Sequence, residues 1–105
     1  MKIKLTQSLK NIDGKELHKE IVENGKVVEL KALFQLKDVC VNALMANTEE
    51  KMEGQEKMRR YLLATKIQKA NELDLKSEEI VLLKEVIGEM YGVLIVGQSY
   101  EMLEI

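Results

Sequence analysis

KSEEIVLLKEVIGEMYGVLIVGQSYEMLEI, residues 76–105, is the stretch on which the reading of the fold turns. It holds the densest apolar run of the chain and its clearest helix start. Ser77 stands where an N-cap belongs, with a hydroxyl able to accept from a free backbone N–H, and Glu78 and Glu79 lie at the positive end of the helix dipole. Ile80, Leu83, Ile87 and Met90 then share one helical face, with Leu82 and Val86 beside them. Tyr91-Gly92 predicts the end of this helix, Gly92 taking the left-handed conformation that closes many helices. Residues 93–96 admit two readings. Their β-branched side chains suit a short buried strand. The spacing of Val93, Val96, Tyr100 and Leu103 suits a fourth helix, and the helix formers of 98–104 favour it. Either way, this stretch is expected to be the platform on which the rest packs.

Upstream, Leu36, Val39, Cys40, Ala43 and Leu44 fall at i, i+3, i+4, i+7 and i+8, an amphipathic helix of about three turns. Asn47-Thr48 is expected to end it. Residues 48–57, TEEKMEGQEK, are polar, contain Gly54, and read as a loop or a frayed helix start. A second helix follows from about Gln55 to Asn71. Its expected buried stripe is Met58, Tyr61, Leu62 and Thr65, with Leu63, Ile67 and Ala70 beside it. Asn71-Glu72-Leu73-Asp74 reads as the connection to the next helix.

The first third has the period of strands. Met1, Ile3 and Leu5 alternate with Lys2, Lys4 and Thr6, as in a half-buried strand. Asp13-Gly14 offers a turn, and Asn24-Gly25, between EIVE and KVVE, offers a two-residue hairpin loop. Closing that loop pairs Glu23 with Lys26, Val22 with Val27, Ile21 with Val28 and Lys19 with Leu30. One face then carries Leu17, Ile21, Val28, Leu30 and Ala32, and the other is mostly polar. The expected fold is α+β in a single domain spanning 1–105: an N-terminal antiparallel β-hairpin or three-stranded meander (1–33) packed on three to four C-terminal α-helices (36–105).

Composition excludes several functions. Hydrophobic content of 46% beside 32% charge excludes disorder as a description of the whole chain. A net charge of −2 supplies no general attraction to nucleic acid or anionic membrane. The lone cysteine, Cys40, has no partner for an internal disulfide and fits a reducing compartment. The opening MKIKLTQSLK lacks the apolar region of a signal peptide, and the longest apolar run is too short for a bilayer span. The expected compartment is the cytoplasm.

No set of residues reads as an active site, so the chain is expected not to be an enzyme and to need no cofactor or metal. His18 is the only histidine; Cys40 lies on an apolar stripe while the hairpin puts His18 on a polar face. Glu72, Asp74, Glu78 and Glu79 lack calcium-loop spacing, and helix capping accounts for two of them. Gly92-x-x-x-x-Gly97 lacks the Lys-Ser/Thr of a phosphate loop. The second helix carries Lys57, Arg59, Arg60, Lys66 and Lys69. Arg59, Arg60, Lys66 and Lys69 are the candidate anion-binding residues, for phosphates of a small ligand or of nucleic acid. The plain alternative is a solvated face offsetting Glu53 and Glu56. The apolar surplus of 76–105 and the open hairpin edges point to a homo-oligomer, most simply a two-fold dimer. Its candidate interface is Tyr91, Val93, Leu94, Tyr100 and Leu103.

LKDVCVNALM at 36–45, EKMRRYLLATKI at 56–67 and SEEIVLLKEVIGEMYGVLIVGQSYEMLE at 77–104 together resemble small, mostly uncharacterised proteins encoded by bacteriophages and prophages. The closing Tyr-Gly, the short aliphatic run and Val-Gly-Gln are the most distinctive part. Similar proteins carry a proline after that Tyr-Gly, where this chain has Val93. A proline there suits a first helical turn, so the resemblance implies a helical tail. It also implies a bacterial cytoplasm during phage growth, and it supplies no catalytic residues. Three functions follow as expectations: an interaction or assembly protein acting through oligomerisation and an apolar surface, a host-directed binder sequestering a small anion or a host factor through helix 55–71, or a nucleic-acid-binding regulator using the same helix.

Overall fold

A computed structural model describes residues 1–23, 25–46 and 51–104, with backbone alone for 20–23 and 26–31. The elements run β1 (Lys2–Lys4), β2 (His18–Glu23), β3 (Lys26–Leu33), α1 (Leu36–Met45), α2 (Gly54–Lys69), β4 (Glu72–Asp74), α3 (Ser77–Met90) and α4 (Val93–Leu103). This is the expected α+β arrangement, with three strands first and helices after, save for β4 between α2 and α3. Residues 93–96 belong to α4, a helix, as the composition of the tail favours.

The strands form two separate antiparallel pairs, β2–β3 and β1–β4. Of the two alternatives, the hairpin forms and the three-stranded meander does not. β1 crosses instead to β4, pairing Lys2 with Asp74, Ile3 with Leu73 and Lys4 with Glu72. Residues 72–74, expected as a plain connection, are therefore a strand. Their one apolar side chain, Leu73, lies opposite the buried Ile3. The Met1 amino group extends this tie, donating to Asp74 Oδ1 (2.7 Å) and to the Leu75 carbonyl (2.9 Å).

Within the hairpin, Glu23 pairs with Lys26 and Val22 with Val27, as the two-residue loop requires, and Gly25 has φ 77°. Gly14 has φ 87° in the other expected turn. Toward the base the register departs from expectation. Ile21 lies opposite Glu29 and Lys19 opposite Ala32, with one-residue shifts on either side of Ile21. Each shift places an extra residue on β3, and a pattern of period two carries no record of such an insertion. The expected apolar face of Ile21, Val28 and Leu30 lies outside the described side chains. At its base the hairpin joins the core through Leu17 and Phe34, and the Lys19 ammonium donates to Asp38 Oδ1 of α1.

The centre of packing is α1 rather than the C-terminal platform. It contacts α2, α3 and α4, and Leu36, Val39 and Cys40 are fully buried. All five residues of its predicted stripe are buried. Two of its first-turn donors, which no intrahelical carbonyl can reach, are met by the N-terminal segment: Leu36 N–H donates to the Gln7 carbonyl (2.8 Å) and Lys37 N–H to that of Leu5 (2.9 Å). The first residues of the chain thus cap the central helix. The expected end of α1 at Asn47-Thr48 lies outside the described residues.

Two cap assignments change. Ser77 is the first residue of α3 and Lys76 is the N-cap; the Glu79 carboxylate accepts the Lys76 N–H (2.9 Å), the reciprocal half of a capping box. Gly92 is extended (φ −86°) and is the N-cap of α4. A left-handed residue is not required there. Tyr91 is itself extended while its N–H still reaches the Ile87 carbonyl (3.0 Å), so the chain turns directly into the next helix.

Candidate functional site

α2 carries apolar residues on more than one side, and its orientation decides what the molecule presents. Against α1 it buries Arg60, Leu63, Ala64 and Ile67. The stripe expected in the core is on the outside: Met58 is 56% exposed, Tyr61 51% and Leu62 57%. Both sets have helical spacing, because residues three and four apart share a face wherever the count begins. The set that includes Ala64 closes better on α1, since that small side chain permits close approach.

Between α2 and α3, which both pack on α1, runs a groove of about 540 Å³. Met58, Leu62 and Leu63 line it from α2 and Leu82 from α3. Its walls differ in sign. Arg59 and Lys66 stand on the α2 side, and Glu78 and Glu79 on the α3 side, where Lys76 also borders it.

The candidate anion-binding residues do not converge on one site. Arg60 is 9% exposed and turned inward, its Nε donating to Glu56 (3.2 Å). Its Nη1 is buried and has no hydrogen-bond partner among the described residues. Arg59 is exposed and reaches the same carboxylate (3.2 Å). The hydrogen bond from Arg60, then that from Arg59, holds the Glu56 carboxyl below the usual range. Lys66 lies 3.7 Å from Glu79, and Lys69 is exposed at the end of the helix. The spacing of cations on α2 gave no sign that one of them is a core residue. Arg60 also lines a smaller cavity of about 240 Å³ between the end of α1 and the start of α2, with Lys57, Tyr61 and Met52.

Of the expected oligomer interface, Leu103 is buried, Tyr91, Leu94 and Tyr100 are half-buried, and Val93 is exposed. Leu103 is fully buried in the chain's own core, where the amphipathic face of α4 meets α3 and α1. Tyr100 donates its hydroxyl to the Lys84 carbonyl (2.6 Å), and Lys84 Nζ stands 5.6 Å from its ring. Tyr91 accepts from Asn42 Nδ2 (3.3 Å) and its ring tilts against Phe34. Leu94 is half-buried, and Val93, 93% exposed, is the one fully open member. Gln98, from the distinctive Val-Gly-Gln, clamps the N-terminal segment. Its Oε1 accepts the Lys10 N–H (2.8 Å) and its Nε2 donates to the Lys10 carbonyl (2.6 Å).

Cys40 is fully buried, and desolvation pushes its thiol up to about 12, so it stays protonated at neutral pH. His18 is exposed on β2. Of the acidic residues weighed as a cation site, Glu72 pairs with Lys2 (3.3 Å), Asp74 with the Met1 amino group and Glu79 with Lys66. Among the described residues no three His, Cys, Asp or Glu form a metal-binding group, and no helix is long and apolar enough to cross a membrane. No protein-family model, curated protein or solved structure matches this chain.

Proposed function

We propose that this is a non-enzymatic interaction protein of the bacteriophage type its sequence resembles, acting in the host cytoplasm through the apolar outer face of α2. The observation that carries this reading is the exposure of Met58, Tyr61 and Leu62 within one turn of the same helix, with Met58 and Leu62 bordering an open groove. Single exposed apolar residues are ordinary, whereas adjoining ones bordering a groove mark surfaces that are covered in the working state. The buried, protonated state of the only thiol supports a role without covalent chemistry. The test is a photo-crosslinking residue at Tyr61 in bacterial cells making the full chain, with the exposed Ile12, which lines neither cavity of α2, as control. A product at Tyr61 and none at Ile12 is expected. No product at either position refutes the reading.

One observation favours a second reading, a binder of small anions: buried Arg60 lines the 240 Å³ cavity together with Lys57 and Tyr61, with no acid among its described lining residues. Inorganic phosphate, nucleotides and small carboxylates should then raise the melting temperature, and lose that effect in Lys57→Ala. No rise with any of them removes this reading.

A further inference from the structure

We infer that the occupant of the α2–α3 groove is a second copy of the same chain, docked about a two-fold axis that runs along the groove. This rests on the interaction reading above and names its partner. A closed two-fold interface must be self-complementary, because the same patch meets itself. Rotation by half a turn about an axis along the groove lays the α2 wall of one copy over the α3 wall of the other. The α2 wall carries Arg59 and Lys66, and the α3 wall carries Glu78 and Glu79 beside a single cation, Lys76, so each copy sets a positive wall against a net acidic one along both edges. The apolar floor, Met58, Leu62 and Leu82, meets its own copy at the centre. A partner of one charge sign would meet a like-charged wall on one side of the groove.

Arg59 is held by Glu56, and Glu79 by Lys66 and the Lys76 N–H, so these charges must share or leave those partners to meet the second copy. Lys66 and Glu79 are 3.7 Å apart within the chain, with the lysine half-exposed, and such surface pairs are weak. Glu78 is exposed and makes none of the described ion pairs. The polar edges around an apolar strip match the layout of protein interfaces, whose apolar centres are rimmed by charge.

The experiment is light scattering of the full chain, with folding checked by circular dichroism. Wild type is expected to be a dimer, and Leu62→Glu, at an exposed position, a folded monomer. Lys66→Glu and Glu78→Lys, each alone, create like-charge contacts at both edges of their own dimer, and each should weaken dimerisation by about tenfold. An equimolar mixture of these two variants should recover it, because in the mixed dimer both edges again pair opposite charges. A wild type that stays monomeric at all concentrations overturns the inference. So does a dimer that tolerates Leu62→Glu, or a mixture no tighter than its components. A crosslink from Tyr61 to a different protein, with the purified chain monomeric, would overturn the second copy and leave the wider interaction reading standing.

Discussion

Gly88, in the last turn of α3, is occupied by glycine because of a hydroxyl on another helix. A Cβ placed there would lie 2.8 Å from Tyr100 Oη and 3.9 Å from Cζ, so only the hydroxyl is in the way. That hydroxyl donates to the Lys84 carbonyl (2.6 Å), the carbonyl four residues before Gly88. Gly88→Ala gains about 1 kcal/mol of helix propensity. It displaces the ring and loses a neutral hydrogen bond worth about 1 kcal/mol, since the carbonyl keeps its helical donor. With the strain of the shift, the net effect is a loss of zero to about 1 kcal/mol. In Tyr100→Phe the obstruction is gone, and the same substitution should stabilise by about 1 kcal/mol. The two sites are therefore coupled by about 1–2 kcal/mol, readable from urea unfolding of the two single variants, the double variant and wild type. An equal effect of Gly88→Ala in both backgrounds would refute the reasoning.

Three further outcomes follow from the same geometry. Cys40 keeps its proton in the folded chain up to about pH 12, while the unfolded thiol, near its ordinary 9.0, has lost it. Its contribution to stability is therefore complete below about pH 9 and falls by up to about 1.4 kcal/mol per pH unit above. Wild type should accordingly lose ground to Cys40→Ala in urea unfolding as pH rises past 9, and parallel curves would contradict this. Gln98→Ala should cost about 1 kcal/mol and leave the Lys10 amide unprotected in hydrogen exchange, since Gln98 Oε1 is its acceptor. Arg60→Met keeps the aliphatic stem, gives up a partly exposed pair to Glu56, and removes a buried donor without a described partner. It should stabilise the fold by about 1 kcal/mol in thermal unfolding; a lower melting temperature would mean that Nη1 is satisfied in solution.

The surface proposed on α2 differs from the stretch to which the sequence pattern pointed. The apolar surplus of residues 76–105, expected at an interface, lies largely within the chain: Leu103 fills the core, and Tyr91 and Tyr100 hydrogen-bond to neighbouring helices. Val81, Met90 and Val93 of that stretch are exposed, and adjoining exposed apolar residues also sit on α2, where Met58, Tyr61 and Leu62 had the spacing of a buried stripe. The signal available was that α2 holds two such stripes, and that only the one passing through Ala64 lets another helix come close. A guanidinium in the buried stripe argued against that choice, and only the Glu56 carboxylate beside it makes the burial tolerable.

Local chemistry determined the elements whose partners are near in sequence. Gly25 serves the hairpin turn because glycine can take a positive φ. The period of 36–45 makes a helix with one buried side, and the tail from Val93 is helical because its spacing and composition agree. Tertiary structure decided whatever depends on a partner far along the chain. Glu72-Leu73-Asp74 is a strand because β1 offers it an edge some seventy residues away. The bulges of β3 and the inward turn of Arg60 depend on neighbours that periodicity does not record. A repeat of two or of 3.6 says that a face exists, and only the packing of α1 against its neighbours decides which face is covered.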